Sequence, residues 1–177
     1  TLTELDVNEG PEFTPPAGET SYSFNYLENS SDSTVIGTVV ATDPEGKDVS
    51  YSIVSGDSNG WFEIDPVTGI ISLTPAGVAA VANDFEALAN VHNLVVGASD
   101  GVNTTNINVT LTELDVNEGP EFTPPAGETS YSFNYLENST DSTVIGTVAA
   151  TDPEGTPVTY SIVSGDSNGW FEIDPVT

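Results

Sequence analysis

Residues 113–122 concentrate the side chains of this chain that could bind a metal ion. From Glu113 to Glu118 the segment holds three carboxylates and one asparagine amide, and a Gly-Pro pair follows. Carboxylates this close together repel one another unless a cation lies among them. Ligands that offer oxygen atoms alone, in a chain without cysteine, favour a hard cation, with Ca²⁺ ahead of Mg²⁺.

The same ten residues occur at positions 4–13, and the repetition extends well beyond them. Residues 1–68 align without gaps to residues 110–177, with five differences. An acidic segment that recurs at domain length and ends in Gly-Pro predicts a junction between tandem units. We therefore predict three parts: the end of a preceding repeat with its linker at 1–9, a complete domain at 10–116, and an incomplete second domain at 117–177.

The second copy lacks a counterpart of residues 69–109, which suggests a piece cut from a longer array. Strands from that part of the first copy should pair with retained strands in both sheets. Residues 117–177 alone would then expose sheet edges and an apolar face. We predict that polypeptide outside this sequence completes the fold, against side chains such as Val144, Tyr160 and Phe171.

The charge balance is extreme, since 28 Asp and Glu residues face a single Lys and give a net charge of −27. Nucleic acid and anionic membrane surfaces are poor partners for such a chain. Regular alternation of aromatic and β-branched residues argues against disorder, and no apolar run is long enough to span a bilayer. We expect no nucleic-acid partner and no membrane insertion, and the acidic groups should be neutralised by metal or adapted to salty water.

Apolar and polar side chains alternate in about seven short segments of each 109-residue period, which predicts strands. These lie near 22–26, 35–41, 49–53, 62–64, 71–73, 92–98 and 107–111. Val35, Val39 and Ala41 are expected to share one face, and residues 75–83 could form one or two helical turns. Without long helices between strands, a parallel α/β fold is excluded, and an all-β Greek-key sandwich in tandem repeats is predicted.

The order of the motifs resembles a cadherin repeat, in the form found in very large bacterial surface adhesins of the RTX type. The residues that carry the resemblance are Glu28, Asp43-Pro44-Glu45, Phe62–Asp65 with Thr68–Ile71, Asp84-Phe85-Glu86, Val96–Gly101 and Asp115–Gly119. Glu45 and Glu118 stand where the family has Asp. The resemblance implies an immunoglobulin-like β-sandwich with Ca²⁺ bound between successive domains.

The resemblance also implies the ligands at each junction. At the junction inside the chain these are Glu28, Asp84 and Glu86 from the first domain, Asp115, Asn117 and Glu118 from the linker, and Asp152 and Glu154 from the next domain. At the N-terminal junction they are Asp6, Asn8, Glu9, Asp43, Glu45 and Asp100. Glu137, the counterpart of Glu28 in the second copy, completes the set. A solvated acidic surface is the alternative interpretation of the same residues.

Catalysis has little support, because a nucleophilic triad needs a base and the chain has one histidine, His92. His92 stands where the family carries a core-facing aromatic side chain. Glu63 and Asp65 lie on one face of a strand, but a glycosidase pair needs a cleft. Trp61 and Trp170 could stack on sugars if exposed, although plugging the end of the sandwich is the preferred interpretation.

These features favour a calcium-rigidified extender module of a secreted or surface-anchored bacterial adhesin with a role in biofilm formation. Neighbouring repeats would be its partners, and the rod would project a tip that binds a glycan or surface ligand. The rival hypothesis is a carbohydrate-binding module attached to a polysaccharide-degrading enzyme, which exposed coplanar aromatics near Trp61 would support. Homophilic adhesion, the third hypothesis, needs a terminal domain with a docking tryptophan.

Overall fold

The chain divides into two compact units, unit 1 at Thr1–Val116 and unit 2 at Asn117–Thr177. The computed structural model describes residues 1–3, 5, 7–80 and 83–177. Within the described part of unit 1 the elements are β1 Glu12–Phe13, β2 Tyr22–Leu27, β3 Val35–Thr38, β4 Ala41–Thr42, β5 Ser50–Ser55, β6 Phe62–Ile64, β7 Ile70–Leu73, α1 Pro75–Val78, β8 Val91–Ser99 and β9 Thr104–Leu114. The predicted strands are thus present.

Two sheets form the body of unit 1. One has the strand order β2-β9-β8-β5, the other has the order β3-β7-β6, and β1 pairs separately with β4. β8 and β9 are antiparallel neighbours, whereas β2 runs parallel to β9 with Tyr22 opposite Val109 and Leu27 opposite Leu114. The result is the all-β sandwich that the alternation predicts, in the immunoglobulin-like form that the resemblance implies.

The core lies between the sheets and is built from the inward residues of alternating strands. On β9, Val109 and Leu111 are fully buried, and on the neighbouring β8 Leu94 and Val96 are buried as well. Phe24 of β2 packs against this core, and its ring occupies the space above Gly37. A Cβ atom at Gly37 would lie 2.3 Å from that ring, so no larger residue fits there.

One prediction about the inward face is wrong. Val39 and Ala41 are buried as expected, but Val35 is 59% exposed and its neighbour Ile36 is buried instead. The pairing of β3 with β7 shifts register between Val35 and Gly37. Such a bulge places two residues opposite one and exchanges the inner and outer faces of a strand.

The helical turn predicted within residues 75–83 is present as α1, which follows β7. Its N-cap is Thr74, whose hydroxyl accepts a hydrogen bond from the Gly77 N–H at 3.0 Å, and Pro75 occupies the first helical turn. A threonine at the N-cap and a proline in the first turn are both typical of a helix start. Within the described residues, no helix is long and apolar enough to cross a bilayer.

Unit 2, which is described throughout, contains a pair of two-residue strands, β10 Glu121–Phe122 and β11 Ala150–Thr151. Its sequence nearly repeats the first copy, yet burial differs sharply. Tyr135 and Phe171 are 57% and 42% exposed, whereas their counterparts Tyr26 and Phe62 are each 5% exposed. In unit 1 these two rings belong to a core that side chains of β7, β8 and β9 complete, such as Ile71, Leu94 and Val109. The completion of unit 2 by further polypeptide stays a prediction.

Candidate metal centres

Glu28 is the centre of an acidic cluster at the end of unit 1 where β2 and β9 terminate, called here the C-terminal pole. It follows directly after β2 and is 2% exposed. Its carboxylate oxygens accept hydrogen bonds from two backbone N–H groups, that of Phe85 at 2.9 Å and that of Val116 at 2.6 Å. One buried side chain therefore ties together the loop after α1 and the segment that follows β9.

Two further carboxylates converge on Glu28. One oxygen each from Glu28, Glu86 and Asp115 can be chosen so that all three atoms lie within 4.8 Å of one another. Asp115 lies just past the end of β9, and Glu86 lies in the loop after α1. Three anionic oxygens at this spacing are suited to a cation that takes several oxygen ligands, as Ca²⁺ does.

Asn83 positions the loop that carries Asp84 and Glu86. Its side-chain NH₂ group donates to the Ser30 carbonyl at 3.2 Å, and its backbone carbonyl accepts from the Asn29 N–H at 3.2 Å. Asp84 is exposed at the same pole, outside the converging group of three. The sequence comparison does not single out Asn83, because a lone buried amide has no recognisable pattern.

Glu113 is a member of this pole that the predicted ligand set does not include. It is 1% exposed, and neither of its carboxylate oxygens has a hydrogen-bond partner. Burial raises the pKa of the Glu113 carboxyl to about 7, and the negative charges of Glu28, Asp84 and Glu86 add to that increase. The sequence pattern that indicates its burial is the alternation along β9, in which Glu113 follows Ile107, Val109 and Leu111 on the inner face.

The opposite end of unit 1, the N-terminal pole, gathers most of the other predicted residues. The Asn8 amide donates to Asp100 at 2.6 Å, and the Glu9 N–H donates to the Glu45 carboxylate at 3.1 Å. Hydrogen bonds from Asn8 and from the Asn103 and Val102 N–H groups hold the pKa of the Asp100 carboxyl well below its usual range. Asp6, also predicted here, lies outside the described residues.

Asp43 organises the turn at the N-terminal pole. Its Oδ1 accepts from the Glu45 N–H at 3.0 Å and from the Lys47 N–H at 3.1 Å, while its buried Oδ2 has no hydrogen-bond partner. The Lys47 ammonium lies 3.4 Å from Asp100. Among the described residues of this pole, no three carboxylates converge as they do around Glu28.

Unit 2 repeats this arrangement with its own residues. The Glu118 N–H donates to Glu154 at 2.9 Å, as Glu9 does to Glu45, and Asp152 accepts from the Thr156 N–H at 3.0 Å. The Asn117 amide donates to the Glu118 carbonyl at 2.9 Å. The buried Oε2 of Glu154 has no hydrogen-bond partner. The agreement between the copies indicates that the local sequence determines this geometry.

Glu137 does not share the surroundings of Glu28 within its own unit. It is exposed, although residues 136–138 repeat residues 27–29. The N–H groups that hold Glu28 belong to Phe85 and Val116, and unit 2 has no counterpart of either. A contribution of Glu137 to a metal site stays a prediction.

Trp61 and His92 pack together at the edge of the core, and neither has the surroundings of a binding platform. Trp61 is half-buried, and its ring contacts His92 edge-on with 5.9 Å between the ring centroids. Phe62 lies against the same imidazole at 5.0 Å. Burial lowers the pKa of His92, and its Nε2 has no hydrogen-bond partner. The preferred interpretation of Trp61 as a plug fits this packing.

The donor sets of unit 1 and unit 2 fit a hard cation. Every candidate ligand atom is an oxygen, and several buried carboxylate oxygens lack a hydrogen-bond partner: both of Glu113, Oδ2 of Asp43 and Oε2 of Glu154. Buried charged oxygens without partners are costly, and a divalent cation would offset that cost.

Comparisons with known proteins all give the same protein family. The profile of the Cadherin domain matches residues 22–117. Human "Protocadherin Fat 4" is 33% identical over 181 residues, covering 98% of this chain and 3% of that protein. "Protein dachsous" of Drosophila melanogaster is 32% identical over 177 residues, covering 96% of this chain and 5% of that protein. This chain therefore spans only a small part of the length of either relative.

Solved structures agree with the profile. The structure of mouse cadherin-23 EC22-24 superposes on this chain with a TM-score of 0.63 at 26% identity. The match covers 96% of this chain and 52% of that structure.

Proposed function

Because this chain belongs to the cadherin domain family, we propose that it is a tandem spacer of an extracellular adhesin stiffened by Ca²⁺ at the junctions between repeats. The observation that carries the proposal is the convergence of Glu28, Glu86 and Asp115 at the C-terminal pole of unit 1. Glu28 is held there by two backbone N–H groups, so the site is partly organised before a cation arrives.

The linker explains how a cation at the proposed site would stiffen the array. Asp115 belongs to unit 1 and Asn117 to unit 2, so residues 115–118 carry candidate ligands of both units within four consecutive positions. A cation held by residues of successive repeats removes rotational freedom from the linker between them. Calcium would therefore turn a string of jointed sandwiches into a stiff rod.

The near identity of the two copies favours a spacer over a set of distinct binding sites, because separate ligands would require different surfaces. We place the array in a large bacterial adhesin of the biofilm type, secreted or surface-anchored, with its glycan or surface ligand elsewhere in the full protein. The module itself has a non-enzymatic role.

Calcium titration of the full 177-residue chain tests this proposal. We expect calorimetry to detect Ca²⁺ binding and thermal melts to shift upwards from chelator to Ca²⁺. A ligand at about 100 times its Kd stabilises the folded state by about 2.7 kcal/mol. Mg²⁺ at equal concentration is the matched control and should give a much smaller shift, since it demands a tighter octahedral site. Coincident melts in Ca²⁺ and chelator would refute the metal assignment.

A further inference from the structure

The side chain of Glu113 is buried where the strand pattern calls for an apolar residue. Val109 and Leu111 precede it on the inner face of β9 and are fully buried, and Glu113 continues that face at 1% exposure. Its backbone N–H donates to the Asn90 carbonyl at 2.8 Å, so the strand is held in place up to this residue. Both carboxylate oxygens, by contrast, lack a partner. A buried carboxylate in this condition is costly to the fold.

No lysine or arginine is available to neutralise Glu113. Lys47 is the only lysine in the sequence, which has no arginine. It lies beside Asp100 at the N-terminal pole. On the parallel neighbour β2, Tyr26 lies opposite Glu113. Burial raises the pKa of the Tyr26 phenol, and the nearby charge of Glu113 raises it further. Neither residue type that carries a permanent positive charge therefore lies beside the Glu113 carboxylate.

The acidic neighbours of Glu113 are the residues of the candidate metal centre. β2 and β9 pair as far as Leu27 opposite Leu114, and the Glu28 N–H donates to the Leu114 carbonyl at 3.0 Å, so Glu28 and Glu113 lie at the ends of neighbouring strands. Glu113 is not a member of the group whose oxygens converge within 4.8 Å, and it belongs to the buried inner face of β9. A negative charge behind a cation site strengthens cation binding through the low-dielectric interior.

We propose that Glu113 is a further cation-binding determinant of the C-terminal pole, a buried charge that raises Ca²⁺ affinity from behind the Glu28, Glu86 and Asp115 ligands. The inference rests on the calcium sites proposed above. It explains why an unpaired acid occupies a core position, since the cation compensates in the bound state for what the acid costs in the free state. Glu113 therefore opposes stability without Ca²⁺ and supports it with Ca²⁺.

Glu113→Gln tests this role because the amide keeps the shape and removes the charge. We expect the 177-residue variant to bind Ca²⁺ roughly 10-fold or more weakly, the size of effect known for residues behind metal ligands. In chelator the same variant should melt at a higher temperature than the unsubstituted chain. Glu63→Gln, on the exposed face of β6, is the matched control and should change neither quantity. Glu113→Leu, which continues the apolar alternation, should shift both quantities in the same directions.

The outcomes separate this inference from the calcium proposal itself. Asp115→Ala serves as the reference that removes a ligand at the same pole. If the unsubstituted chain binds Ca²⁺ and Asp115→Ala binds it weakly, but Glu113→Gln retains full affinity, the inference is overturned and the calcium proposal stands. If the unsubstituted chain binds no Ca²⁺, the proposed function fails first. Weaker binding together with a lower melting temperature in chelator, for both Glu113 variants, would assign Glu113 to the fold and also overturn the inference.

Discussion

Glu28 accepts a hydrogen bond from the backbone N–H of Val116, with 2.6 Å between Oε1 and the nitrogen. The two residues are far apart in sequence, and Val116 is the last residue of unit 1. The end of the domain is thus anchored by the same carboxylate that lies among the candidate metal ligands. Fold stability and metal binding are coupled at this residue.

Glu28→Gln should therefore destabilise unit 1 even in chelator. A glutamine side chain can accept from one of the two N–H groups that Glu28 satisfies, but its NH₂ group faces the other. An unsatisfied buried donor costs about 1–3 kcal/mol. We expect the melting temperature to fall in chelator and the additional stabilisation by Ca²⁺ to be largely lost.

The chain supplies a matched control for this substitution. Glu137→Gln makes the same change in an identical local sequence, but at an exposed residue. Substitutions at such surface positions usually change stability by no more than about 0.5 kcal/mol. Equal effects of the two variants on the melting temperature would contradict the anchoring role of Glu28.

Asp115→Ala should loosen the array without unfolding unit 1. Asp115 lies beyond the last residue of β9 and is exposed, so its removal leaves the core of the sandwich intact. In Ca²⁺ we expect small-angle scattering to show a shorter and more flexible particle than the unsubstituted chain, with little change in circular dichroism. Asp32→Ala, at an exposed turn, is the control. An unchanged maximum dimension for Asp115→Ala would count against the rod mechanism.

His92 makes unit 1 sensitive to mild acid. Burial lowers its pKa below the ordinary value of 6.5, an effect that the charge of Asp57 partly opposes. As the pH falls through 6.5, the unfolded chain binds a proton before the folded chain does, so stability is lost progressively down to the folded-state pKa. His92→Phe, which keeps an aromatic ring against Phe62, should lack this part of the loss.

Thermal melts in chelator at pH values on both sides of 6.5 check the His92 prediction. The carboxylates titrate in both proteins, so the difference between the two melting temperatures isolates the histidine. We expect His92→Phe to gain on the unsubstituted chain as the pH is lowered. Parallel curves would show that His92 is protonated without cost in the folded state.

Period-two alternation predicts the main strands because each sheet has one buried face, and the burial of Leu94, Val96 and Val109 follows it. The prediction that Val35 faces inward fails because a register shift exchanges the two faces of β3. No local sequence pattern marks such a bulge. β1 is only two residues long and was not predicted, since a strand of that length carries no period.

The predicted ligands differ in how far the sequence could place them. The acidic motifs identify Glu28 and Asp115, which are distant in the sequence and which the fold brings together at the C-terminal pole. The sequence does not mark Glu113 as part of the site, because an acidic residue in an alternating strand normally faces solvent. Only its burial, together with the absence of partners for both oxygens, distinguishes it.

The final prediction concerns the apolar face of unit 2. Residues 110–177 differ from residues 1–68 at five positions, and in unit 1 the segment 69–116 contributes β7, α1, β8 and β9. We expect a second copy of residues 69–116, fused after Thr177, to complete a core around Tyr135 and Phe171 as β7, β8 and β9 do around their counterparts. Burial of apolar surface then stabilises unit 2 by roughly 25 cal/mol for each Å² removed from water.

Trp170 reports on this closure because it is 76% exposed in unit 2, whereas its counterpart Trp61 is half-buried. The added segment contains no tryptophan, so a Trp61→Phe background leaves Trp170 as the single reporter. We expect its emission to move to shorter wavelength and the amides of residues 131–136 to become protected from hydrogen exchange. A fused segment of scrambled sequence is the control and should produce neither change. If the authentic segment gives the same spectra as the scrambled one, unit 2 does not need the strands that complete unit 1.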